Sequence, residues 1–222
     1  GPNWSSAQEV ALRMVMWSLT ISAIKDSPAT TPARINALTE SIRHHVERLL
    51  PTLSYARSQH NNHLLSEALG LILGGDYLLD CDSCAQGWIK RGIREFEQAI
   101  LSQVDENGNY AQHSANYHRM MLQLALLYSA FLGKSHRKMP ENVKSRLALA
   151  ARWLIEEAFE ESRLVNDLRF VEDGEDLMDY LHQRGKFADP TTSPRPGLIL
   201  LDLHMPRKDG REALKEIKLD PD

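Results

Sequence analysis

The stretch Glu141-Asn-Val143-Lys-Ser-Arg-Leu147-Ala-Leu-Ala150-Ala-Arg-Trp153-Leu154-Ile-Glu-Glu-Ala158-Phe159-Glu-Glu-Ser-Arg-Leu164 decides how this chain is read. Its apolar residues Val143, Leu147, Ala150, Leu154 and Ala158 recur at three- and four-residue steps with no breaker between them, which predicts one continuous amphipathic helix. The helix crosses a compositional boundary. Residues 1–153 hold 16 Lys and Arg against 13 Asp and Glu, together with seven of the nine His. Residues 154–222 hold 10 Lys and Arg against 17 Asp and Glu. Opposite charge balances on the two sides of one unbroken helix point to two pieces of different origin, divided as 1–154 and 155–222.

Upstream of the boundary every segment carries the helical period. Val10, Met14, Trp17, Ile21 and Ile24 mark a helix from Ser6 to Ile24, closed by Asp26-Ser27-Pro28. A second begins at Pro32 and stops before Pro51, and a third runs from Asn62 to Leu73 with Gly74-Gly75 read as its end. Further helices are expected from Ala85 to Val104 and from Ser114 to Phe131. Downstream the pattern changes. Leu168 to Val171 and Leu198 to Leu203 read as two short strands, with helices at Gly174 to Gln183 and Gly210 to Lys218. The fold class is therefore mainly α, an array of helices followed by a small α/β remnant with two short strands.

Composition narrows the function classes. With 222 residues, 42% hydrophobic and 25% charged, the chain sits in the globular range. A net charge of −4 offers no basic surface for nucleic acid, and no apolar run approaches a membrane span or a secretory leader. Gly1-Pro2 reads as a protease scar left from a tag, so localisation is open, with a soluble, cytoplasmic protein as the default. Cys81 and Cys84 form a lone Cys-x-x-Cys pair without the further ligands of a zinc site, and read as thiols of a loop or helix end. His44-His45 and His136-Arg137-Lys138 read as solvated surface.

In the second piece, Leu198-Ile-Leu-Leu-Asp202-Leu-His204-Met-Pro206-Arg-Lys-Asp-Gly210 describes a buried strand ending in a carboxylate, followed by a turn into a helix. Carboxyl ends of such strands are where α/β folds place their chemistry. From about Ile155 to Asp222 the sequence resembles the receiver domain of response regulators, of the type that partners phytochrome-like kinases. Glu157-Ala-Phe-Glu-Glu-Ser and Phe170-Val-Glu-Asp-Gly174 belong to the same resemblance. It implies that Asp202 is the phosphoacceptor of a histidine kinase, with the Asp202 carboxylate and the His204 backbone carbonyl as ligands of Mg²⁺. The remaining ligands come, in the family, from an acidic pair ending a first strand. Here Leu147 to Trp153 stands in that place, helical and without an acidic pair, so the resemblance is to a truncated receiver with an incomplete metal site. Lacking that strand, the two predicted strands lose their common neighbour, and they are expected either to pair directly or to exchange with another chain.

In the first piece, Asn61-Asn62-His63-Leu-Leu-Ser-Glu67 and Ser114-Ala-Asn116-Tyr117-His118-Arg119 each open a predicted helix, the latter just after Asp105-Glu-Asn-Gly108. From about Trp4 to Leu154 this resembles the helical toroid domain of heparinase II/III-like polysaccharide lyases. The resemblance implies an incomplete α/α toroid-like array and a β-elimination on uronate polysaccharides. Asn62 and His63 would polarise the sugar carboxylate, and Tyr117 would act as acid or base near the glycosidic oxygen. Glu67, His118 and Arg119 would contact substrate. The same residues admit a plainer reading: Asn62 caps its helix, His63 and Glu67 form an i,i+4 surface pair, and Tyr117-His118 packs between helices.

Together the two resemblances describe a chimera, natural, recombined or designed. Its expected function is that of a structural or interaction protein without an intact active site. Residual uronate lyase activity and phosphoacceptance at Asp202 are the alternatives. No cofactor is expected beyond Mg²⁺ in the phosphoacceptor case. The expected partner is a second copy, held through exposed strand edges or an uncovered helical face. An anionic polysaccharide or a histidine kinase enters only with the alternatives, and neither nucleic acid nor membrane is expected.

Overall fold

A computed structural model describes residues 6–161, 167–203, 205 and 207–220, with Glu161 described in its backbone alone. Its helices are α1 (Ala7–Ile24), α2 (Pro32–Leu49), α3 (Leu53–Ser58), α4 (Asn62–Tyr77), α5 (Ala85–Gln103), α6 (Ala115–Lys134), α7 (Glu141–Glu161), α8 (Gly174–Leu181) and α9 (Gly210–Leu219). They fall into two compact units, Gly1–Leu164 and Val165–Asp222.

The first unit is built around α4. Twelve of its sixteen residues are buried, and α1, α2, α3, α5 and α6 all pack on it, as an α-helix apolar on every side requires. Helix α7 then packs on α5 and α6. Gly74-Gly75, expected to end α4, lies inside it instead. A Cβ on Gly74 would stand 2.6 Å from Val46 Cγ2 and 2.7 Å from Met14 Sδ, and one on Gly75 would stand 2.8 Å from Ile89 Cγ1. These glycines admit neighbouring helices, and the packing gained outweighs the ~1 kcal/mol that each costs a helix. Helix α3, just after Pro51, has no counterpart in the sequence reading. It is six residues long, too short for its period to register.

Local chemistry sets the helix ends. The Ser6 and Thr31 hydroxyls and the Asn61 side chain accept backbone N–H groups at the starts of α1, α2 and α4, and Pro32 stands first in α2. Between α5 and α6 a tight turn brings Val104 against Tyr110 in an isolated antiparallel bridge. Gly108 at its tip has φ +88°, and a Cβ there would stand 2.3 Å from the Leu149 carbonyl oxygen of α7, so only glycine fits.

The second unit has a small core of Leu177, Met178 and Ala213, on which Val171, Leu181, Ile199, Leu201 and Ile217 pack. Asp173 and Asp209 cap α8 and α9. Neither expected strand forms: residues 168–171 and 198–203 carry no β-ladder among the described residues. Ile199 and Leu201 turn to the core while Leu198 and Leu200 are 70% and 66% exposed, the alternation of a strand without its partners. No backbone hydrogen bond reaches Leu198 to Leu201 among the described residues. The direct pairing of the two segments therefore does not occur within the chain. The residues that the resemblance would place in a first strand belong to helix α7.

Candidate functional site

The first turn of α4 is joined to the start of α6 and to the loop before it. Asn61 is the N-cap of α4, its side chain accepting the His63 N–H at 3.0 Å. Asn62 follows as the first helical residue and is buried. Its backbone N–H donates to Gln112 Oε1 at 2.9 Å and its side-chain amide reaches Met120 Sδ on α6 at 3.2 Å. One turn on, Ser66 Oγ donates to the Asn62 carbonyl at 3.0 Å. The two stretches singled out in the sequence are thus joined through Asn62, with Gln112 as the bridge.

His63 is half-buried in that first turn. On α6, Tyr117 is 45% exposed, and Arg119 is exposed with its guanidinium bonded to Asn116 Oδ1. His118 packs against α7. It is buried, donates from Nε2 to the Ala150 carbonyl at 2.8 Å, and stacks on Trp153 with ring centroids 4.6 Å apart. Burial holds its pKa below the ordinary imidazole value, against the opposing pull of that hydrogen bond. His118 therefore joins α6 to α7.

Glu67 is also placed differently from a surface pair with His63. It is 2% exposed and accepts from the Thr52 hydroxyl at 2.8 Å. Burial pushes its carboxyl up to about 7, with the Thr52 bond and the charge of Arg48 pulling the other way. His45 departs from the solvated face expected of it: it is buried against Trp17, centroids 4.7 Å apart, and hydrogen-bonded from Nδ1 to the Ser41 carbonyl at 2.7 Å. Cys81 and Cys84 are exposed free thiols, Cys84 being the N-cap of α5. Thr52, Gln112 and Met120 escaped the sequence reading. Gln112 lies two residues before the Ser114 stretch, but spacing alone does not show which amide crosses to α4.

In the second unit Asp202 is exposed, its backbone carbonyl lying where a Cβ on Gly210 would come within 2.0 Å. His204 lies outside the described residues. The nearby acids are occupied. Asp173 accepts the backbone N–H groups of Glu175 and Asp176 and the Arg207 guanidinium, and these bonds hold its carboxyl below the usual range despite the upward push of desolvation. Asp176 accepts from Lys186 at 2.6 Å and from Arg207 at 3.0 Å. Among the described residues no three His, Cys, Asp or Glu side chains gather as a metal would need.

The response regulator Rcp1 of Synechocystis sp. is 46% identical over 69 residues, which are 31% of this chain and 45% of that protein. The chain thus spans just under half the length of that relative. No solved structure matches. The sequence profile of the family described as Heparinase II/III N-terminus matches residues 3–189, running past the end of the first unit. Matched over most of its length, the chain belongs to this heparinase II/III N-terminus family.

Proposed function

We propose that this chain is a chimeric interaction protein whose helical unit binds uronate-bearing polysaccharide at the α4–α6 end, on part of an α/α toroid-like array, without completing β-elimination. The observation that carries this reading is the junction at Asn62. Gln112 and Met120 hold Asn62, at the start of α4, to the loop before α6 and to α6 itself, and the half-buried His63 and the half-exposed Tyr117 stand in the first turns of these two helices. There His63 and Asn62 would meet the sugar carboxylate, Tyr117 the glycosidic oxygen, and Arg119 a neighbouring acidic sugar. Binding is favoured over turnover because the stacked, hydrogen-bonded His118 and the buried Glu67 are engaged in packing. Titration of the whole chain with heparin or alginate oligosaccharides tests it. Saturable binding that weakens in His63→Ala and Tyr117→Phe, with no growth of absorbance from unsaturated sugar ends, is expected. Absence of binding would refute the reading, and product formation lost in Tyr117→Phe would replace it with a lyase.

A second property is supported by the unbonded backbone of Leu198 to Leu201 with its exposed Leu198 and Leu200. Such an edge accepts an extended strand, and the same segment of a second copy is self-complementary in antiparallel pairing. Self-association through 198–203 is accordingly part of the proposed behaviour.

A further inference from the structure

We propose that the cleft between α5 and the start of α7 binds an acidic sugar unit, its sulfate or carboxylate held between Lys90 and Arg94 and its ring resting on an apolar floor. The inference rests on the polysaccharide reading for its ligand class alone, since none of Asn62, His63 and Tyr117 lines this cleft.

The cleft has a volume of about 290 Å³ and is walled by one face of α5 and by residues 140–143. Its walls are fixed to each other: α7 packs on α5, and the Arg146 guanidinium bonds the carbonyl of Val104, the C-cap of α5. Lys90 and Arg94 stand one helical turn apart on α5 and both line the cleft.

These two charges are not engaged within the fold. Lys90 makes no ion pair among the described residues. Arg94 approaches Glu95 at 3.8 Å, but both oxygens of that carboxylate already hold the Arg57 guanidinium, at 2.6 and 3.2 Å. The acid in the lining, Glu97, accepts the Tyr128 hydroxyl at 2.6 Å, and the Arg137 charge acts on the same tyrosine. Two cations against one occupied carboxylate leave the cleft positive, which selects an anion.

The rest of the lining suits a sugar better than a bare ion. Ile93, Leu101 and Val143 offer an apolar floor to the C–H face of a ring. The Gln98 amide makes no hydrogen bond among the described residues, and Asn142 engages only its Oδ1, on the Val143 N–H at 3.0 Å, so both keep N–H donors for hydroxyl groups. Ligand pockets begin at about 300 Å³, so a cleft of this size takes a single unit of a longer chain.

The test follows the methyl signals of Ile93, Leu101 and Val143 by NMR in the whole chain as heparin or alginate oligosaccharides are added, the first bringing sulfates and the second carboxylates alone. Saturable shifts are expected, with affinity about fivefold weaker in Lys90→Ala and in Arg94→Ala and falling as salt rises. Lys25→Ala removes the same charge at the exposed C-cap of α1 and is expected to leave the affinity unchanged. Equal weakening there would reduce the effect to overall charge and overturn the site. Shifts produced by one oligosaccharide alone would support the site and name its acid group. Shifts confined to His63 and Tyr117 would overturn the cleft and leave the polysaccharide reading standing, whereas shifts of the cleft methyls without those of His63 and Tyr117 would do the reverse. Inorganic sulfate that displaces the sugar at equal concentration would overturn the sugar assignment. No response to either oligosaccharide would overturn both readings.

Discussion

The Thr52 hydroxyl donates a 2.8 Å hydrogen bond to Glu67 Oε2 beneath the start of α4, where Glu67 is 2% exposed. Burial raises the carboxyl from an ordinary 4.5 to about 7. The folded protein therefore holds this proton more tightly than the unfolded chain does. The stabilisation is fully present below pH 4.5 and is lost as pH rises through 7, a change of about 3 kcal/mol. Glu67→Gln keeps an acceptor for Thr52 and removes the titration. Urea unfolding is expected to find it nearly neutral at pH 5 and stabilising by about 2–3 kcal/mol at pH 8.5. Equal effects at both pH values would show that Glu67 is not titrating in the folded chain.

Gly74→Ala is expected to destabilise the first unit by about 1–3 kcal/mol, the cost of overpacking a full core. The added methyl meets Val46 and Met14 together, so neither can retreat without displacing α1 or α2. Gly87→Ala is the control: α5 has open space there, and the same change should be neutral or slightly stabilising in thermal melts.

His118 links α6 to α7 through Ala150 and Trp153, and His118→Ala should cost about 2 kcal/mol through lost stacking and a lost buried hydrogen bond. Its depressed pKa means that the stabilisation is present above pH 6.5 and lost as pH falls through the folded-state value. His118→Phe retains a ring beside Trp153 without titrating. The acid-side loss of stability, followed by Trp fluorescence, should be smaller in that variant than in the unaltered chain.

Leu200→Lys places a charge on the exposed side of 198–203 without touching the core formed by Leu177, Met178 and Ala213. Light scattering is expected to show a concentration-dependent dimer for the unaltered chain and a monomer for the variant, with equal helical circular dichroism. A monomer in both cases, or a dimer in both, would place any association elsewhere.

Helices with a full apolar period were legible in the sequence because burial on one face leaves a three-to-four-residue signature, as in α1, α2, α5 and α7. The end of α4 was misread because glycine has two uses. In isolation Gly74-Gly75 breaks a helix, but beside Val46, Met14 and Ile89 it lets helices approach, and only the neighbours distinguish these. The two strands were misread because strand residues need a ladder, which Leu198 to Leu201 cannot supply from their own composition. In the candidate site, Asn62 and His63 stood out by type and position. The tie from Asn62 to the loop before α6 did not, since it runs through Gln112, fifty residues away.

The glycines of α4 bear on dynamics as well as packing. Where Gly70, Gly74 and Gly75 draw other helices to within a methyl's width, backbone amides are shielded by several elements at once. Opening them to solvent requires α1, α2 and α5 to part together, so local fraying has no route into the middle of α4. Its amide protons should be the slowest in the chain to exchange with deuterium, leaving only when the whole first unit unfolds.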